Sequence, residues 1–143
     1  MKHETYLLIR KNHAIIDELM ETVKQTLEEG QSGATEVGQL LNQLQTHVTA
    51  RFQEEVDNDL FNSLTAMAPR LQHAIDLLRQ EHEQLSQQLL TLCAGPPSEP
   101  LSTKDWEALK QTFQKFSLLY KDHETREQDL ILEAYDDDLG RGD

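Results

Sequence analysis

The chain has 143 residues, with 26 acidic against 13 basic side chains and a formal net charge of −13 when histidine is neutral. That length suits one domain with a real core, and the acidic excess argues against nucleic acid or an anionic membrane as partner. Six Gly, four Pro and 6% aromatic residues, without β-branched runs set between turn signals, predict an all-α fold.

The first predicted helix runs from about His3 to Glu29 and stops at Gly30, with QSGA as the turn. Its stripe is Ile9, His13, Ile16, Met20, Val23 and Leu27, stepping four and three residues. His13 therefore belongs to the inward face. His3 falls in the first turn, where a solvated histidine is expected.

The second helix is predicted from Ala34–Thr35 to about Ala68. Val37, Leu41, Leu44 and Val48 line its inner face, which turns polar at Arg51 and Glu55 and apolar again at Leu60, Phe61 and Leu64. Asp57–Asp59, reading DND, is expected to loosen or bend it, because Asp and Asn side chains compete for backbone hydrogen bonds.

Pro69 suits the first turn of a third helix that runs to about Cys93. Leu71, Ile75, Leu78, His82, Leu85, Leu89 and Leu92 form its stripe, and only His82 interrupts it. His73 lies off that line and reads as a surface histidine. AGPPSEPLS then breaks the chain, and Ser102 or Thr103 caps a fourth helix with Asp105 in its first turn. That helix repeats Trp106, Leu109, Phe113, Phe116, Tyr120, His123, Glu127, Leu130 and Ala134 along one side. The bundle is thus expected over residues 1–136, with 137–143 as a frayed acidic tail.

No apolar run approaches the roughly 18–20 residues that span a bilayer, and MKHETYLLIRKNH lacks a signal-peptide pattern. Cys93 is the one cysteine, so an intramolecular disulfide is excluded and a reducing cytoplasm is expected.

Every predicted helix has a His or Glu in its apolar stripe. In an up-down-up-down four-helix bundle, height can be counted from the turns at about 1.5 Å per residue. Counting brings His13, Glu55, His82, His123 and Glu127 to one level, and Arg51 with them. His47 lies about one turn away, roughly 6 Å. Unpaired, such groups are costly to bury. A metal ion satisfies them together, and imidazoles with carboxylates favour iron, manganese or zinc over calcium. Glu55 and Glu127 come from different helices and can bridge two ions. The competing reading is a buried polar network that fixes helix register. No nucleophile stands beside a base, so turnover chemistry is not expected and the chain reads as a non-enzyme.

Four segments, LIRKNHAIIDEL, RFQEEVDNDLF, LLRQEHEQLSQQLLTL and LLYKDHETREQDLILEA, together resemble the hemerythrin-like (HHE cation-binding) domains over nearly the whole chain. The resemblance implies a left-handed four-helix bundle holding a non-heme di-iron site bridged by Glu55, Glu127 and an oxygen ligand, and one or two iron ions are expected in this chain. Its metal ligands would be His13, Glu55, His82, His123 and Glu127, the two glutamates bridging. Members bind O2, respond to nitric oxide or redox stress, sense iron or oxygen, or handle iron. A small diatomic ligand, O2 or NO, is the implied partner.

The sequence departs from the pattern in three places. Arg51 stands where the family's second-helix motif begins with histidine, one extra residue precedes Leu60–Phe61, and Ser86 stands where some members carry a second histidine. A shifted register would offer His47 and Glu54 as alternative ligands. Arg51 is expected to pair with a glutamate beside the site, with Tyr120 as an outer donor. The alternative function is a metal-free bundle that serves as an interaction or structural protein.

Overall fold

A computed structural model describes residues 3–30, 33–94 and 102–142, with side chains from residue 14 to 140 within those ranges. All described elements are helical: α1 (His3–Glu29), α2 (Ala34–Asp57), α3 (Leu60–Met67), α4 (Gln72–Ala94) and α5 (Thr103–Gly142). Helix α1 packs on α2 and α5, α4 packs on α2 and α5, and the short α3 lies against α4 and α5. No helix among the described residues is long and apolar enough to cross a membrane.

The first turn depends on two glycines. Gly30 has φ +103, a left-handed conformation that side chains disfavour. A Cβ on Gly33 would come within 2.8 Å of Thr26 Cγ2, so any other residue there would force Thr26 to shift.

The expected second helix, Ala34 to Ala68, is broken in two. Asn58 caps α2 by donating its side-chain amide to the Glu54 carbonyl at 2.8 Å. Asp59 then adopts φ 55, ψ 41, a left-handed step that Asp tolerates better than most residues. Its carboxylate accepts from Asn62 Nδ2 at 2.7 Å in the new helix. The DND cluster thus ends one helix and starts another.

Pro69 opens a 3-10 turn, Pro69–Leu71, that leads into α4. Ser102 caps α5 as expected, its hydroxyl accepting from the Asp105 amide at 3.1 Å. Where a frayed tail was expected, α5 continues as helix through Gly142.

The core is divided. One apolar cluster joins Ile16, Val23, Leu44, Phe52, Leu85, Phe116 and Tyr120 with their neighbours. The other gathers Leu60, Phe61, Leu64, Ile75, Leu78, Ile131 and Ala134. Each buried side chain of this size contributes about 1.5–3 kcal/mol relative to exposure. On α2, α4 and α5 the residues between the clusters are polar: Glu55, His82, and His123 with Glu127. A polar layer therefore crosses the bundle between two greasy halves.

Candidate metal centre

Arg51 and Glu55 share one face of α2, one turn apart, and both are buried, at 1% and 0% exposure. His82 projects from α4 where leucines stand one turn to either side. His123, Glu124 and Glu127 come from α5, and all three are buried. The helical period alone aims these side chains inward.

Arg51 is held at both nitrogens of its fork. Nη1 donates to Glu124 Oε1 at 2.9 Å and to the Tyr120 hydroxyl. Nη2 donates to Glu127 Oε1 at 3.0 Å and lies 3.6 Å from Glu55 Oε1. Burial opposes the charge, but Tyr120, Glu127, Glu55 and Glu124 outweigh it and raise the guanidinium pKa. Arg51 stays a cation.

The other oxygens of the same glutamates face the imidazoles. Glu55 Oε2 is 3.0 Å from His82 Nε2, and Glu127 Oε2 is 3.7 Å from His82 Nε2 and 3.4 Å from His123 Nε2. None of these four atoms makes a hydrogen bond, although all are buried. Buried polar atoms are nearly always satisfied, and each orphan costs about 1–3 kcal/mol. These atoms face one another as ion pairs only when an imidazole carries a proton.

Their spacing fits an ion. Donors about 2.0–2.2 Å from a common transition metal lie roughly 3–4 Å apart. The Glu55–His82, Glu127–His82 and Glu127–His123 separations fall in that range, and the ligand atoms of His82, His123 and Glu127, a group that does not include Glu55, lie within 4.8 Å of one another. The donor set of imidazoles and carboxylates is that of a borderline transition metal.

The outer partners favour the same assignment. His123 Nδ1 is 2.8 Å from Glu81 Oε1, which places the ring proton there and leaves Nε2 with its lone pair toward the cluster. Arg126 Nη2 holds both oxygens of Glu81, at 2.8 and 2.7 Å. The His82 ring is stacked on Phe52, centroids 3.9 Å apart and 10° from parallel. A cleft of about 310 Å³ lined by Glu55, Asp59, Phe61, Arg79, His82 and Glu83 reaches the donors from the surface.

Without an ion the layer compensates by taking up protons. Burial, and then the charge of Glu127, push Glu55 up to about 8. Burial likewise opposes ionisation of Glu127, but the approach of His123 and His82 and the charge of Arg51 hold it well below the usual range. Glu124 is pushed up to about 7 by burial, against the pull of Arg51. Burial opposes the charged form of His82, yet the two glutamates raise its pKa.

Among the expected ligands, the structure brings together Glu55, His82, His123 and Glu127, with Arg51 and Tyr120 beside them. His13 is within α1, but its side chain lies outside the described residues. His47 is exposed on the outer face of α2, so the shifted register that would use it is not the one observed. It is Glu55, and not the half-buried Glu54 beside it, whose carboxylate meets Arg51 and His82. His73 is exposed. Sequence reasoning missed Glu124 and Glu81. Glu124 falls one helical turn after Tyr120, which could have suggested it; nothing in the spacing of Glu81 points to His123.

Compared with protein-family models, curated proteins and solved structures, the chain matches none.

Proposed function

We propose that the chain is a hemerythrin-like, non-heme iron-binding protein that binds or senses O2, NO or redox state, or handles iron. In this reading α2 and α3 count as one broken second helix of an up-down-up-down four-helix bundle. His82, His123, Glu55 and Glu127 hold the ion. Iron bound there supplies a redox-active centre able to accept a small diatomic ligand.

The observation that carries the reading is the group of His82, His123 and Glu127, whose ligand atoms lie within 4.8 Å of one another, with Glu55 against His82 at 3.0 Å. A cation among these buried atoms satisfies donors that otherwise face one another without hydrogen bonds. Metal analysis of protein purified from iron-replete cells, with its ultraviolet-visible spectrum, tests it. Stoichiometric iron and oxygen-to-iron charge-transfer absorption are expected. Reconstituted protein that retains only traces of any transition metal would defeat the reading.

A second reading has its own support. Arg51 already brings positive charge to the glutamates, which is how a metal-free polar network would fix helix register in an interaction or structural bundle. Removing metal with a chelator would then leave the melting temperature unchanged.

A further inference from the structure

We propose that the Arg51 guanidinium is the second cation of this centre, built into the chain, and that it limits the site to one divalent ion. The inference rests on the metal-binding reading and specifies what that site accepts.

Two carboxylates carry the argument, because they are oriented alike. Glu127 turns Oε1 to Arg51 Nη2 at 3.0 Å and Oε2 to the imidazoles of His82 and His123 at 3.7 and 3.4 Å. Glu55 turns Oε1 to the same Nη2 at 3.6 Å and Oε2 to His82 at 3.0 Å. Each glutamate thus bridges two positions. On one side is the guanidinium, on the other the imidazoles. Two carboxylates shared between two cations is the arrangement that would hold a pair of metal ions, and here one member of the pair is an arginine.

Charge counting gives the number of ions. Glu55, Glu124 and Glu127 all contact Arg51, whose guanidinium cannot give up its proton in a protein. Once a cation holds the carboxylates in their ionised form, three of them against one guanidinium leave two negative charges, and imidazole ligands are neutral. One divalent ion cancels that excess. A second would leave two uncompensated positive charges in a layer where Arg51, His123 and Glu127 have 1%, 0% and 0% exposure. Uncompensated buried charge is costly, so the fixed guanidinium beside both glutamates disfavours a second ion there. Arg51 is anchored too firmly to swing aside, since Glu124 and the Tyr120 hydroxyl both hold Nη1.

The test is titration of the full chain with Mn(II) at neutral pH, read by equilibrium dialysis and electron paramagnetic resonance. Wild type is expected to bind one Mn(II) per chain with the spectrum of an isolated ion. Arg51→His removes the fixed charge and places a neutral nitrogen donor one turn before Glu55. It is expected to double the stoichiometry and give a spin-coupled pair. Arg51→Lys keeps the charge and is expected to remain at one. Two ions in wild type or in Arg51→Lys overturn the inference, as does one ion in folded Arg51→His. If Arg51→His does not fold, wild type and Arg51→Lys decide. Wild type that binds no Mn(II) defeats the metal-binding reading itself, and the inference with it.

Discussion

Arg51 and Glu127 meet in the middle of the bundle at 3.0 Å, both fully shielded from solvent, and each has a second task. Glu127 has another oxygen turned to two imidazoles. Arg51 has another nitrogen on Glu124 and Tyr120. Changes at either residue should therefore spread through the whole polar layer.

Arg51→Met should destabilise the metal-free protein strongly. It leaves Glu55, Glu124 and Glu127 buried together without their shared cation, and breaking a buried ion pair from one side costs about 3–5 kcal/mol. Chemical denaturation, with folding checked by circular dichroism, measures the loss. A loss below about 1 kcal/mol, the range of exposed pairs, would show that the layer is wetter than the geometry indicates.

Added Fe(II), Mn(II) or Zn(II) should raise the melting temperature. A ligand at a hundred times its dissociation constant adds about 2.7 kcal/mol to a native state that alone binds it, or several degrees for a domain of this size. His82→Ala and Glu127→Gln should remove the response. A metal-dependent shift that survives both substitutions would place the ion elsewhere.

Glu81→Gln should weaken metal binding about 10–100-fold while leaving the fold intact, because residues that orient a ligating histidine typically have that effect. Glu81 fixes His123 through Nδ1 and is itself held by Arg126. Competition with a chromophoric chelator measures the affinity. Unchanged affinity would mean that His123 does not depend on Glu81 for its orientation.

The metal-free protein should lose stability as pH rises from about 5 to 8. Glu55 and Glu124, raised to about 8 and about 7, bind protons more tightly folded than unfolded. A raised pKa contributes stability that is complete below the unfolded value and is lost as pH climbs through the folded one. The raised His82 acts in the same direction. Glu127 is lowered, so its contribution is complete above the ordinary carboxylate range and does not offset the fall. Thermal melts across that window with chelator present should descend. A flat or rising profile would contradict the assignment of the shared protons.

Asp59→Gly should be neutral or stabilising, and Asp59→Val should destabilise. The residue sits at φ 55, where glycine has no steric penalty and a β-branched side chain is a true outlier. Gly loses the bond from Asn62, which offsets part of its gain. Denaturation midpoints of the two variants give the order. A Val variant as stable as wild type would mean that α2 and α3 can join without the left-handed step.

Helix identity was legible because burial imposes a period on the sequence. The stripe of α4 from Ile75 to Leu92 was readable residue by residue, and so was the inward side of α5 at Phe113, Phe116, Tyr120, His123 and Glu127. Height counting also placed Glu55 level with His82, since α-helices advance by a fixed rise. The break at Asp59 was only half legible. Spacing showed polar residues that compete for the backbone, but whether the helix bends or stops depends on Asn58 and Asn62 finding partners.

The sequence by itself determined which side of each helix faces inward, because that follows from the geometry of a single helix. Only the tertiary structure decided which oxygen of Glu55 and Glu127 meets the guanidinium and which meets the imidazoles. It also decided that Glu81 reaches across to His123, and that His47 stays outside. Those outcomes depend on distances between side chains of different helices, and no periodicity along one chain segment encodes them.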